Sequence, residues 1–139
     1  MSVPFPLDAR KLIVPVTVVG PRRSHEFRFA LDTGSGITVV PATLLRQLGC
    51  DLSRPLGHTT LRGATGVARA PLIRVPAVVA FDRVRTDFVV AAHDFPLGTA
   101  TDGLLGLDFF RGLVLKLDFA RGRIDLGPPK RWWQVWRAA

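Results

Sequence analysis

Hydrophobic residues recur along most of this chain with the short period of β-strands, and turn-forming residues separate the runs. Lys11–Val19 and His25–Leu31 are predicted to form two strands joined by a turn, with Phe27, Phe29 and Leu31 on one face. Further strand-like runs occupy residues 37–40, 58–62, 67–73, 76–81, 86–92, 113–117 and 123–126. This succession of short strands predicts a mostly β fold.

Two stretches depart from the strand pattern and predict short helices. Ala42–Leu48 carries leucines on one side, begins after Pro41 and ends before Gly49, which are the residues preferred at a helix start and stop. Leu107–Arg111 is predicted to be a second short helix. The expected fold class is therefore all-β with one or two short helices.

Length and composition indicate a single globular domain with chain extensions at both ends. The chain has 139 residues, of which 47% are hydrophobic and 22% charged. We assign residues 1–10 to an N-terminal arm, 11–127 to the domain, and 128–139 to a basic C-terminal tail that holds all three tryptophans. The tail could pack on the domain or on a second copy, stack on nucleobases, or lie at a membrane interface.

Charge and residue usage exclude several classes of partner and cofactor. The net charge is +8, but the basic residues are scattered, so no nucleic acid is expected. The single cysteine, Cys50, excludes an internal disulfide. No apolar run reaches the roughly 18 residues of a transmembrane segment, and no secretory signal is recognised, so a cytoplasmic location is expected. His25, His58 and His93 lack metal-ligand spacing, so neither a metal nor another cofactor is expected.

The stretch Phe27–Gly36 contains the strongest candidate for chemistry. An apolar strand delivers Asp32 into a turn of small and hydroxyl residues. A carboxylate at the end of a buried strand needs hydrogen-bond donors, because its desolvation is otherwise costly. Thr33, Ser35 and the backbone N–H groups of Gly34 and Gly36 can supply them. Asp32 is therefore predicted to be a catalytic carboxylate.

Three ordered segments resemble the retropepsin-type aspartic proteases, and more closely the small bacterial domains of that type. The first is Ala30–Ser35 with the strand and helix that follow it, which resembles the active-site turn. The second is the glycine-tipped hairpin at Gly63–Gly66, which resembles the flap. The third is Asp102–Phe110, whose Leu104, Leu105 and Gly106 lie about seventy residues after Asp32 and resemble the second hydrophobic-glycine segment.

The resemblance implies a closed β-barrel that is one half of an acid protease, with one catalytic aspartate per chain and a homodimer that acts on peptide or protein substrates. Thr33 would hydrogen-bond to the partner's turn, Gly34 would offer its N–H to the carboxylate, and Ser35 would hydrogen-bond the outer carboxylate oxygen. The flap residues Gly63, Ala64, Thr65 and Gly66 would close over an extended peptide, and Leu104, Leu105 and Gly106 would lie beneath the Asp32 turn.

Two departures from that pattern leave alternatives open. Gly106-Leu107-Asp108 stands where viral members have glycine, arginine and an acid or amide, so the usual arginine support of the turn has no counterpart at that position. Asp102 is an alternative second carboxylate within one chain, although a structural or interface role for Asp102 or Asp108 is favoured. The alternative function is a catalytically silent module of the same fold that binds or dimerises through the basic aromatic tail.

Overall fold

The computed structural model of the protein describes residues 1–63, 66–96, 99 and 101–131. Within these residues the chain forms ten strands and two short helices. The strands are β1 (Ser2–Pro4), β2 (Ile13–Val19), β3 (Ser24–Leu31), β4 (Val39–Val40), β5 (Gly57–Gly63), β6 (Gly66–Ala80), β7 (Arg83–Ala92), β8 (Gly103–Leu105), β9 (Val114–Asp118) and β10 (Arg123–Gly127), and the helices are α1 (Ala42–Gln47) and α2 (Leu107–Phe110). Ala64, Thr65 and the three tryptophans of the tail lie outside the described residues.

Six of the strands close into a barrel. The larger sheet has the order β2-β3-β8-β4-β7-β6-β5, and β6 also pairs with β2, so that the sheet closes on itself and β5 extends beyond the closure. Closure leaves few unpaired strand edges. The prediction of a mostly β closed barrel with two short helices is confirmed.

A second, three-stranded sheet brings the two ends of the domain together in the order β1-β10-β9. β1 lies within the segment assigned to the N-terminal arm, and its Ser2 pairs with Asp125 of β10. Val3 and Phe5 are buried in the main core because this pairing holds them against it.

Buried and more exposed residues alternate along β2 and β3, and the two strands form the predicted hairpin. Val14, Val16, Val18 and Phe29 are fully buried, and Val14 pairs with Phe29. Pro15 is tolerated because β2 pairs with β6 only from Thr17 onward, so Pro15 has a free strand edge on one side. β3 therefore runs through the core and ends at Leu31, directly before Asp32.

The prediction of separate strands at 67–73 and 76–81 is wrong, because residues 67–80 form part of the single strand β6 and only Phe81 lies beyond it. The ladder with β7 pairs Val75 with Phe88 and Ala77 with Thr86 but skips Pro76, which has no N–H to donate. The hairpin turns at Phe81 and Asp82, whose φ values of 53° and 57° are those of the two-residue turns that suit β-hairpins.

Helix α1 forms as predicted and packs on the barrel. Its Leu45 is fully buried, Leu48 just beyond its end is buried, and Gly49 adopts a φ of 91° that terminates the helix. Burial of Cys50 next to it raises the pKa of the thiol. The two helices of the described chain have six and four residues, and neither has the length or apolar character to cross a bilayer.

Candidate active site

Asp32 lies at the point where β3 leaves the barrel. Its backbone N–H donates to the carbonyl of Leu105 at 2.9 Å, and its own carbonyl accepts the N–H of Ser35 at 3.2 Å. The residue is partly exposed. The barrel therefore fixes the backbone of Asp32 while the carboxylate stays accessible from an adjoining cleft.

The turn after Asp32 supplies a donor to its carboxylate. Gly34 donates its N–H to Oδ1 of Asp32 at 3.0 Å, which confirms the hydrogen bond expected of Gly34. A Cβ at Gly34 would lie 3.2 Å from the same oxygen, so the small residue permits the close approach. Thr33 is exposed on this turn and has its side chain available to a second molecule.

Ser35 does not make the bond that the resemblance implied. Its hydroxyl donates to the carbonyl of Ile37 at 2.7 Å, and a hydroxyl has only one proton to donate. Ser35 therefore braces the turn from within rather than contacting the Asp32 carboxylate. It still borders the cleft beside Asp32.

Leu104, Leu105 and Gly106 lie directly beneath the Asp32 turn, as expected. β8 runs parallel to β3, pairing Leu105 with Leu31, and antiparallel to β4 through Leu104. The Leu107 N–H donates to the carbonyl of Ser35 at 2.8 Å, so the turn is held from below.

A buried pair that was not identified from the sequence joins β4 to α2. Thr38 is fully buried and donates both its N–H (3.0 Å) and its hydroxyl (2.8 Å) to the carboxylate of Asp108. The Thr38 Oγ1 also accepts the N–H of Gly106 at 3.1 Å. The network fixes the strand after the Asp32 turn to the segment below it. Its members are about seventy residues apart, and no local pattern pairs them.

An arginine from β7 supports α2. Arg85 donates from Nε and Nη2 to the carbonyl of Phe109 at 3.0 and 2.7 Å, and from Nη2 to the carbonyl of Arg111 at 2.6 Å. Its guanidinium also lies 5.7 Å from the centroid of the Phe109 ring, within cation–π range. Arg85 thus satisfies the carbonyls at the end of α2, although no arginine follows Gly106 in the sequence.

Asp102 is not brought into the cleft with Asp32. Its carboxylate accepts the backbone N–H of Arg28 at 2.8 Å, and its own N–H donates to the Arg28 carbonyl at 2.8 Å. Thr101 beside it accepts the N–H of Ala30 at 2.9 Å. These bonds seal the edge of β3, which is a structural role for Asp102.

The cleft between the Asp32 turn and the β5–β6 hairpin has a volume of about 700 Å³. Gly63 and Gly66 of the hairpin border it, as do His93 and Phe95 from the loop after β7. Val39, Ala70 and Ala91 form a buried apolar cluster, against which Ile37, Leu61, Leu72, Phe95 and Leu104 pack. Among the described residues that line the cleft, Asp32 is the sole carboxylate.

The histidines occupy three unrelated places. The His25 ring lies 4.8 Å from that of Phe27, His58 is exposed on β5, and His93 borders the cleft. Across the described ranges, no three His, Cys, Asp or Glu side chains are grouped so that they could hold a metal ion. The sequence assigned His93 no role, because its place at the cleft depends on how β7 ends beside β4.

The loop that carries His93 and Phe95 is tied to α1 through Asp94. Its Oδ1 accepts the backbone N–H of Thr43 at 3.1 Å and the Thr43 hydroxyl at 3.0 Å. The Thr43 N–H is the main cause of a pKa for Asp94 below the ordinary value of 3.8. Since the folded-state pKa lies below the unfolded one, the stabilisation is present above pH 3.8 and is lost as the pH falls through the lowered value.

Asp94→Asn, which removes the charge, is expected to lower the free energy of unfolding by up to about 1 kcal/mol at neutral pH, because the pair is exposed. The difference from wild type should shrink as the pH falls below about 3.8, where the wild-type carboxyl becomes protonated as well. Urea unfolding of both proteins at about pH 7 and pH 3 measures it. A difference that does not change with pH would contradict the charged role of Asp94.

Comparison with known proteins agrees with this architecture. A family model described as aspartyl protease matches residues 14–109, which is more than half of the chain. The chain therefore belongs to the aspartyl protease family.

Its fold is retropepsin-like, as the sequence predicted. It matches the crystal structure of a retropepsin-like aspartic protease from Rickettsia conorii with a TM-score of 0.64, over 92% of this chain and 90% of that chain. The two sequences are 18% identical, so the likeness establishes the fold. Among curated protein sequences, none matches this chain.

Proposed function

We propose that this protein is an aspartic endopeptidase in which Asp32 of one chain and Asp32 of a second copy together activate a water molecule. The observation that carries the proposal is the solitary carboxylate of the cleft. Asp32 is held by its backbone to Leu105 and receives the Gly34 N–H, yet no second carboxylate from the described chain lines the same cleft. Asp102 and Asp108 are both engaged elsewhere.

A two-fold homodimer would supply the second carboxylate from the same residue of a second copy, without any other group. An isologous interface places a residue near its own copy when that residue lies close to the axis. Thr33 and Gly34 are exposed beside Asp32, so the turn is open to such a contact. Thr33 would then hydrogen-bond across the axis to the partner's turn.

The chemistry follows from two carboxyl groups that share one proton. Two carboxylates this close do not both ionise readily, so one is ionised and the other protonated in the working range. The ionised Asp32 takes a proton from water, whose oxygen attacks the scissile carbonyl carbon, and the protonated Asp32 donates to the carbonyl oxygen. The C–N bond of the resulting gem-diol breaks as the leaving nitrogen takes a proton from one carboxyl group. The other carboxylate takes a proton from a gem-diol hydroxyl, so a carboxyl product forms and the dyad again holds one proton.

The β5–β6 hairpin is proposed to cover the substrate. β5 is an edge strand of the sheet and lies across the cleft from Asp32, so an extended peptide can pair with backbone groups between them. Gly63 and Gly66 flank the tip, and a Cβ at either would meet nothing within 4 Å. Space beside these two glycines supports the proposal that a peptide backbone can lie against the hairpin there.

Cleavage of a mixed peptide library at about pH 3 to 8, with and without a statine-type inhibitor, tests this proposal. We expect inhibitor-sensitive cleavage with a bell-shaped, acidic pH profile, because both deprotonation and full protonation of the dyad abolish its function. Sedimentation should give the mass of a dimer, and dilution below its dissociation constant should lower the specific activity. A rate that only rises toward about pH 9, or full activity of a monomer, would contradict the shared dyad.

A further inference from the structure

Two cavities meet at Asp32. The cleft under the β5–β6 hairpin has a volume of about 700 Å³, and a second cavity of about 420 Å³ lies against residues 9–12 and the end of β3. Asp32 and Leu104 line both of them. Side chains can therefore be received on two sides of the candidate catalytic carboxylate.

An extended peptide lying over Asp32 would use both cavities. Successive side chains of a strand point to opposite faces, with a rise of about 3.3 Å per residue. Residues close to the scissile bond therefore alternate between the two sides. This step rests on the proposed function, since it assumes that the peptide bond is cleaved at Asp32.

Both cavities are lined by cationic side chains. Arg62 borders the cleft, and Arg10 and Lys11 border the second cavity. Among the described residues that line the two cavities, the only carboxylate is that of Asp32. Apart from Asp32, the charged residues that line the two cavities are Arg62, Arg10 and Lys11, which are all basic.

Arg10, Lys11 and Arg62 are not neutralised by an ion pair with any of the described residues. The ion pair between Arg121 and Asp118 involves none of the three. Arg10, Lys11 and Arg62 are exposed and have no such partner among those residues. The net charge of +8 adds a long-range attraction for anions.

We infer that the substrate carries acidic side chains, Asp or Glu, within about three residues of the scissile bond on both sides. A substrate carboxylate that enters either cavity would form an ion pair with a cation that otherwise faces only solvent. Exposed pairs of this kind are individually weak, so each acidic residue is expected to raise kcat/KM by roughly threefold. When a substrate carries several acidic residues, the preference for it should depend steeply on ionic strength.

The test uses a peptide that the wild-type protein cleaves, remade with Glu or Gln at each position flanking the cleaved bond. Gln matches Glu in shape and differs in charge, so the ratio of their kcat/KM values isolates the electrostatic contribution. The assay is run at about pH 5.5, where the peptide Glu is mostly ionised. The Glu preference should fall in high salt, and it should disappear at about pH 3, where the peptide carboxyl is neutral.

Variants of the cations locate the effect. Arg62→Gln and the double variant Arg10→Gln/Lys11→Gln should each reduce the Glu-to-Gln ratio. The reduction should occur on both sides of the cleaved bond, because the proposed dimer carries each substitution twice. Arg23→Gln is the matched control, since it makes the same change in the turn between β2 and β3, at the opposite end of β3 from Asp32. The ratio should be unchanged in that variant.

The outcomes separate this inference from the proposed function. Equal cleavage of Glu and Gln peptides by wild type would overturn the acidic preference and leave the protease proposal intact. The acidic preference would also be overturned if it survived in both Arg62→Gln and Arg10→Gln/Lys11→Gln, or if it fell equally in Arg23→Gln. Absence of any cleavage that depends on Asp32 would contradict the proposed function, and the substrate preference with it.

Discussion

Asp32→Asn is expected to lower kcat/KM for peptide cleavage by about 10²- to 10⁴-fold or more, with little change in the free energy of unfolding. Asn has nearly the shape of Asp, and its Oδ1 can still accept the Gly34 N–H that the carboxylate receives at 3.0 Å. It cannot take a proton from water or share one with its copy. In the proposed dimer the substitution is present twice, so both halves of the proposed dyad would be lost.

Asp82→Asn is the matched control for this substitution. Asp82 is exposed in the β6–β7 turn and has a φ of 57°, a conformation that Asn adopts as easily as Asp. β4 pairs with the far end of β7, so this turn lies at the opposite end of the barrel from Asp32. Activity should be retained in the control, and cleavage that persists in Asp32→Asn would exclude Asp32 as the catalytic residue.

Gly106→Ala is expected to reduce the free energy of unfolding by about 3 kcal/mol, and activity should fall with it. A Cβ at this position would lie 2.6 Å from the carbonyl carbon and oxygen of Ile37 and 2.9 Å from the carbonyl oxygen of Ser35. These atoms belong to the backbone of the Asp32 turn and the residue before Thr38, so no side chain can move aside. The turn must shift, which strains the Gly106 N–H bond to Thr38 and displaces Asp32.

Gly127→Ala provides the comparison at a position where a Cβ meets nothing within 4 Å. Its effect on stability should be within about 0.5 kcal/mol, as for most surface substitutions. Denaturant unfolding of both variants, followed by circular dichroism, measures the difference. If the two variants were equally stable, the turn above Gly106 would shift with no loss of folding free energy. That result would contradict the close packing seen there.

The parts of the site that were predictable are those set by local sequence. The alternation of β3 predicted a buried strand that ends at Asp32, and the small residues after it predicted a turn with an N–H donor, which Gly34 provides. The leucines of α1 and the stop at Gly49 were predictable for the same reason, since a helix repeats its pattern within seven residues. These features depend on neighbours in the chain.

The supports of the site were not predictable, because their partners are distant in sequence. Asp108 is 70 residues from Thr38, Asp94 is 51 residues from Thr43, and Arg85 is 24 residues from Phe109. Each pair is a side chain meeting a backbone group or hydroxyl of another element, and any exposed Asp or Arg could have made such a bond. The barrel closure decides which of them do.

Asp32 itself illustrates the division between local and tertiary information. Residue types and their order are sufficient to predict the strand, the turn and the candidate carboxylate, because backbone preferences and hydrophobic alternation act over a few residues. They do not reveal that Ser35 turns its hydroxyl to Ile37, that Asp102 is bonded to Arg28, or that two basic cavities meet at Asp32. Those features arise when the strands close into a barrel, since closure brings the ends of β3, β7 and β8 to one place and assigns each polar group its partner.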